Sequence, residues 1–177
     1  MGKLMSNFHF KFMSFCFILR DFILPRKNIL KEVGIKIGFH ILDYGCGPGS
    51  YVLPAAELVG KSGKIYALDI HPLAIQAVQS IALKNQLTNV KTICSDCKTE
   101  LPDNSVDVVL LYDTLHVLSD PERILEELHR VLKPDGILSF SDHMKENEIV
   151  SKLASRGLFK PWRKGKFTYN FLNMKKE

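Results

Sequence analysis

From residue 40 onward the chain alternates short apolar runs with longer stretches whose apolar residues return every three or four positions. Short runs bounded by turn formers read as buried strands, and the three-to-four spacing reads as helices packed on one face. The runs are His40–Tyr44, Ile65–Asp69, Val90–Cys94, Val106–Tyr112 and Ile137–Asp142. Helical spacing occupies Tyr51–Val59, Pro72 to about Gln86 (Ile75, Val78, Ala82 and Leu83 on one face) and Pro121–Leu132 (Ile124, Leu125, Leu128 and Val131 inward). Lys133-Pro134-Asp135-Gly136 reads as a turn into the fifth run. A helix near Glu146–Ser155 and two late strands, near Phe159–Arg163 and Lys166–Leu172, follow, the strands joined by a turn at Lys164-Gly165. Strand–helix alternation implies right-handed crossovers and a parallel sheet covered on both faces. The tight last connection permits only an antiparallel pair. The expected class is α/β with a mostly parallel sheet and a last antiparallel strand.

Before residue 40 the pattern changes. Phe8, Phe12, Phe15, Leu19 and Phe22 recur at helical spacing, with Lys11, Ser14 and Arg20 largely elsewhere; Phe10 and Phe17 broaden the apolar face. Pro25 ends this helix, and a short second one, Lys27–Val33, leads to Gly34. Residues 1–36 thus form an N-terminal helical segment, a candidate lid, and 37–177 the main domain. The longest uncharged piece of the first helix, Phe12–Leu19, falls far short of the ~20 residues that span a bilayer. It has no small-residue cleavage site and runs into Arg20-Asp21, so the expectation is neither export nor a membrane span. Cys16, Cys46, Cys94 and Cys97 make no disulfide framework in a chain of 177 residues, which points to a reducing, cytoplasmic setting.

The net charge of +5 is unevenly spread: residues 1–36 hold seven Lys/Arg against two acids, 145–177 nine against three, and 37–144 eight against fourteen. An acidic centre with basic ends leaves an anionic partner, nucleic acid or a lipid surface among them, open beside the plainer reading of solvated lysines.

The candidate chemistry lies in Ile41-Leu42-Asp43-Tyr44-Gly45-Cys46-Gly47-Pro48-Gly49-Ser50. A strand runs into an acid and alternate glycines, then into a helix whose N–H groups face the turn. Glycine serves where φ is positive or where a Cβ would block a group lying on the backbone. A dinucleotide binder spaces its glycines G-x-G-x-x-G; here the pattern is Asp-x-Gly-x-Gly-x-Gly. An acid repels a pyrophosphate and attracts an ammonium, which favours a zwitterionic amino-acid ligand. Acids recur at the strand ends, at Asp43, Asp69, Asp96, Asp113 and Asp142, where open sheets of this kind bind ligands. So many carboxylates on one rim repel one another unless they meet cations or donors.

Over roughly residues 38–145 the chain resembles the class I S-adenosylmethionine-dependent methyltransferases, in the small-molecule branch similar to ubiquinone/menaquinone-type enzymes. Asp43, Gly45, Gly47 and Gly49 match the family's first motif, and Leu101–Asp107 and His129–Leu138 match later ones. The resemblance implies a Rossmann-like sheet completed at seven strands, and a cofactor, S-adenosylmethionine, that leaves as S-adenosylhomocysteine. It implies that Asp43 neighbours the cofactor's ammonium, with Gly45, Cys46 and Gly47 against its methionine part. Asp69 matches the acid on the ribose hydroxyls, which one carboxylate can accept together. Ile70 would pack on the adenine, Asp96 would accept from its amino group, and the Cys97 N–H would meet a ring nitrogen. Asp113 completes the set.

Plainer readings stand beside these. Asp69 could cap the helix near Pro72, and Asp96 could make an Asx turn. Cys94-x-x-Cys97 has metal or redox spacing, but Cys94 should point inward from a buried strand and no second Cys/His pair completes a tetrahedral site, so no metal is expected.

A base is needed only where the acceptor must lose a proton. His116 and His143, after the fourth and fifth strands, are the catalytic candidates; the alternative is that they only shape the pocket. Large recognition insertions are missing, so the acceptor site must be covered by the aromatic N-terminal helix, by the loops after those strands, or by a second subunit, which leaves a homo-oligomer open. The leading expectation is an enzyme methylating a small-molecule acceptor by in-line displacement. The alternatives are a methyltransferase acting on RNA or protein, motivated by the basic ends, and a non-catalytic cofactor-binding module or dinucleotide enzyme.

Overall fold

The structure is a computed structural model and describes residues 5–118, 120–142, 151, 153–154 and 156–175. Its elements are α1 (Asn7–Ile23), α2 (Arg26–Lys31), β1 (His40–Tyr44), α3 (Val52–Val59), β2 (Lys64–Asp69), α4 (Pro72–Lys84), β3 (Val90–Cys94), β4 (Val106–Tyr112), a 3₁₀ turn (Leu115–Val117), α5 (Pro121–Val131), β5 (Leu132–Ser141), β6 (Phe159–Lys164) and β7 (Tyr169–Asn173). The seven strands form one sheet in the order β3-β2-β1-β4-β5-β7-β6. β1 to β5 pair in parallel, and β7 runs antiparallel to both of its neighbours, β5 and β6. The sequence expectation of a mostly parallel, Rossmann-like sheet with a last antiparallel strand therefore holds.

Side chains alternate across the central strands, as the period of two requires. Leu42, Leu68, Val109, Leu111, Leu138 and Phe140 pack on one face with Ile124, Leu125 and Leu128 of α5. Ile41, Ile65, Val108 and Leu110 pack on the other with Ile29 and Leu30 of α2 and Ala55 and Val59 of α3. Strand order reverses between β1 and β4, and ligand crevices of open sheets lie beyond the strand ends at such a point.

Several local expectations shift. α4 ends at Lys84, and Gln86 takes a left-handed φ of 54°. Its inner stripe runs through Ala74, Val78 and Ile81, spaced four and three apart, while Leu83 is 83% exposed. The expected turn at Lys133–Gly136 is a bulge inside β5: Leu132 pairs with Val106 and Ile137 with Val108. The β6–β7 connection runs past the expected Lys164-Gly165 because it wraps a carboxylate. Glu32 accepts hydrogen bonds from the N–H groups of Lys166, Phe167 and Thr168 and from the Thr168 hydroxyl. β3 is an edge strand, which exposes Cys94 and buries Cys97, the reverse of the inward placement expected for Cys94.

The helix of residues 7–23 forms where expected, capped by Ser6, whose hydroxyl accepts from the His9 N–H. Its orientation is the opposite of the one the spacing suggested: Phe8, Phe12, Phe15, Leu19 and Phe22 are exposed, and Phe10 is buried against the domain. Among the described residues no helix is long and apolar enough to cross a membrane.

Candidate active site

A cavity of about 320 Å³ lies over the carboxyl ends of the central strands. Its floor is the rim of β1, β2, β3 and β4, with Asp43, Gly45, Cys46, Gly47, Asp69, Ile70, Asp96 and Asp113 among the lining residues. Its roof is the inner face of α1, with Phe10, Met13, Phe17 and Arg20.

The two central acids sit in different states. Asp43, at the end of β1, is 3% exposed, and among the described residues its Oδ2 has no hydrogen-bond partner. Burial, and then the Asp69 carboxylate nearby, push its pKa up to about 7. Asp69, one strand over, is bonded at both oxygens: Oδ2 accepts from the Gly47 N–H at 2.9 Å and Oδ1 from the His71 N–H at 2.8 Å. A stripped carboxylate beside a bonded one leaves a place for a cation at the first and a rigid acceptor at the second. Asp69 does not cap α4; the cap is His71, whose Nδ1 accepts from the Leu73 N–H at 3.2 Å. That fixes the His71 proton on Nε2, from which it donates to the Met5 carbonyl at 3.0 Å.

The glycines of the loop divide their work. A Cβ on Gly45 would lie 2.5 Å from Thr114 Oγ1, and one on Gly49 would lie 2.8 Å from Ile81 Cδ1, so these two let β4's exit and α4 approach. At Gly47, with φ of 50°, a Cβ would meet only Phe17 Cε2, at 4.0 Å, and would project into the cavity. Of the three, Gly47 alone would lose open space to a Cβ, whereas the resemblance set Gly45 beside it against the ligand.

Other expected residues fall differently. Ile70 stands 37% exposed at the rim, and the Asp96 backbone carbonyl accepts from the Tyr44 hydroxyl at 3.2 Å. No Asx turn forms at Asp96; the turn belongs to Ser95, whose Oγ accepts from the Cys97 N–H at 3.3 Å. That N–H is the one assigned to the adenine, and Cys97 does not line the cavity: its side chain is buried in the core beneath. Asp113 lines the cavity in a left-handed conformation (φ 50°), and its carboxylate pairs with Arg20 of α1 at 3.0 Å, so a protein cation already meets it. His116, on the 3₁₀ turn, is outside the lining; its Nδ1 lies 2.9 Å from Oδ2 of Asp142, whose side chain is fully buried. His143 lies outside the described residues.

Sequence reasoning missed the contacts that tie the roof to the floor. Phe10 stacks on His71 with ring centroids 4.5 Å apart. The Arg20 guanidinium lies 4.0 Å over the Phe17 ring and pairs with Asp21 at 3.1 Å, which Arg26 also meets at 2.9 Å. The only signal in the sequence was negative: Phe10, Phe17 and Arg20 fell off the obvious apolar stripe.

A seven-stranded sheet of this order, with a stripped acid and a backbone-bonded acid on adjacent strand tips, defines a nucleoside-binding α/β domain of the methyltransferase type. A family described as "Methyltransferase domain" matches residues 35–170, and the chain belongs to it. It is 32% identical, over 73% of its length and 56% of the relative's, to a demethylmenaquinone methyltransferase of Geobacillus stearothermophilus. Over 76% of its length and 56% of the relative's it is 30% identical to the enzyme of that description from Lactobacillus johnsonii. The chain thus spans about half the length of these relatives. It superposes on the crystal structure of a SAM-dependent methyltransferase from Aquifex aeolicus with a TM-score of 0.73 and 30% identity, over 84% of this chain and 88% of that one. A Methanococcus maripaludis structure, 15% identical, shares the fold over 100% of this chain and 98% of its own, with a TM-score of 0.78.

The residues present fit the cofactor of this family. Unpartnered Asp43 Oδ2 suits an ammonium, Gly47 leaves the adjoining space open, and Asp69 retains acceptor capacity toward ribose hydroxyls.

Proposed function

We propose that the protein is a methyltransferase that uses S-adenosylmethionine to methylate a small, ring-containing acceptor of the quinone type. The observation that carries the reading is the buried, unpartnered Asp43 carboxylate at the switch point, a site that asks for a cation. When bound there, the cofactor supplies a methyl group made electrophilic by its sulfonium.

The chain's own work is binding, orientation and exclusion of water. Asp43 takes the ammonium, and Asp69, held rigid by the N–H groups of Gly47 and His71, orients the ribose. Ile70 and Asp96 flank the nucleoside end. Met13 and Phe17 of α1 present an apolar ceiling, which suits a flat apolar acceptor and keeps water from the reacting atoms. In this reading residues 1–36 are the acceptor lid, fastened by Arg20 to Asp113 and by Phe10 to His71.

His116 does not itself line the cavity but stands beside Val117, which does, and it is the base only where the acceptor must lose a proton. What supports this is Asp142, a buried carboxylate 2.9 Å from Nδ1 that accepts a hydrogen bond from it and so orients the ring. His116→Gln lowers kcat by about 10²-fold and leaves cofactor affinity unchanged; an unchanged kcat removes the base. The four cysteines are unpaired, which supports the reducing, cytoplasmic setting.

The test is transfer of label from methyl-labelled S-adenosylmethionine to demethylmenaquinone, with a catechol as a water-soluble ring control. Labelled product from either ring supports the reading. Cofactor binding with no transfer to either leaves a binding module, and absence of cofactor binding removes the whole assignment.

A further inference from the structure

The helix α1 has two apolar faces, and the functional reading uses one. Phe10, Met13 and Phe17 turn into the cavity. On the opposite face Phe8, Phe12, Phe15, Leu19 and Phe22 are 77%, 63%, 59%, 52% and 90% exposed. They stand at positions three and four apart, so they form one continuous stripe rather than scattered side chains. Elsewhere exposed large apolar residues such as Leu83 and Val117 stand apart in sequence. A stripe of this kind is costly in water, and something apolar has to cover it.

Charge selects the cover. Lys11, three residues from Phe8 and four from Phe15, stands exposed at the edge of the stripe, and Lys31 of α2 is exposed as well. Asp21 is the one acid of α1, and it is turned under the helix into Arg20 and Arg26. Among the described residues, the exposed face of α1 therefore offers aromatic and aliphatic side chains with a lysine at its edge and no carboxylate. A second copy meeting it about a two-fold axis would set these cations against themselves. An anionic lipid surface satisfies both parts: acyl chains take the phenylalanines and headgroups take the lysines. The helix has seventeen residues and is not a span, which is the expected form of an element lying in the plane of the interface.

We propose that the outer face of α1 docks on an anionic lipid bilayer, with α1 in the headgroup–acyl boundary and its inner face still roofing the cavity. The docked helix then separates the bilayer from the cavity by its own thickness alone, so an apolar acceptor reaches the site without crossing bulk water. The docking stands on the exposed stripe and its charges; only that last consequence rests on the methyltransferase reading.

The test is flotation of the full chain with phosphatidylcholine vesicles, with and without phosphatidylglycerol, in the absence of cofactor and acceptor. The chain floats with the anionic vesicles, binds the neutral ones several-fold less, and is released as salt rises. The triple substitution Phe12→Ser, Phe15→Ser, Leu19→Ser lowers partition by at least about tenfold, while S-adenosylhomocysteine affinity is retained because none of the three lines the cavity. Lys11→Glu, which disturbs no packing, weakens binding to anionic vesicles alone. Failure to float, equal binding to both compositions, or a triple variant that floats like the parent overturns the proposal. So does a triple variant that turns a dimer into a monomer in sedimentation velocity while vesicle binding persists.

Discussion

The floor and the roof of the cavity are built on different principles. The floor is backbone and short acids: Asp43 and Asp69 sit on strand tips whose positions the parallel sheet fixes to within a residue, and the loop glycine Gly47 is tied to Asp69 through its N–H. The roof is a single helix of large side chains; among the described residues an aromatic stack, a partly exposed ion pair and the His71–Met5 hydrogen bond just before the helix hold it to the floor. A site made from strand tips is rigid because moving it means moving the sheet, whereas a helix attached at a few points can shift without disturbing the core. Changes in the floor should therefore act on cofactor binding, and changes in the roof on the acceptor.

The largest expected effect is on the floor. Asp43→Asn lowers cofactor affinity by about 10²–10³-fold, since an ammonium buried there loses its counter-charge. The same substitution stabilises the ligand-free protein. The folded carboxyl titrates near 7, against 3.8 for the ordinary group, so wild-type stability falls as pH rises through that window and is flat above it. Asparagine has no proton to lose there, so its advantage grows over that range and reaches about 5 °C in Tm near pH 8, read by a melting scan. Opposite signs for binding and stability would be hard to obtain from a merely structural residue.

The roof gives a smaller and differently placed effect. Phe17→Ala raises the acceptor KM about tenfold by removing an apolar wall, with cofactor affinity within a factor of about three. Equal losses in both would mean that the roof belongs to the cofactor site and that the division is wrong. The smallest effect is at the fastening: Arg20→Gln frees Asp113 and costs about 1 kcal/mol or less, because both side chains are partly exposed at 29% and 44%. Faster hydrogen exchange confined to residues 7–23 would show it.

The same contrast explains what could be read without coordinates. Strand tips follow from apolar runs that end in acids, so Asp43, Asp69, Asp96 and Asp113 could be brought to one rim from the sequence. The parallel run of strands and its antiparallel close followed from alternation and one tight connection, whereas the order of the strands came only with the structure. What the acids do there was less legible. Asp113 is met by Arg20, ninety-three residues away, and the Cys97 N–H is taken by Ser95, two residues away; neither leaves a mark in periodicity. The orientation of α1 failed for a related reason: hydrophobic spacing finds the most apolar stripe, and here the domain covers the other side. An apolar stripe left outside is the kind of local conflict that a second binding surface produces.

The central claim is that Asp43 waits, stripped and buried, for the cofactor's cation. Calorimetry of S-adenosylhomocysteine binding between about pH 5.5 and 8, for wild type and Asp43→Asn, tests it most directly. In the wild type, affinity is flat above about pH 7 and falls by nearly tenfold per pH unit below it, as a proton competes for the carboxylate, while the Asn variant binds weakly with a flat profile. Equal affinity in the two proteins, or a wild-type profile with no break near pH 7, would contradict it.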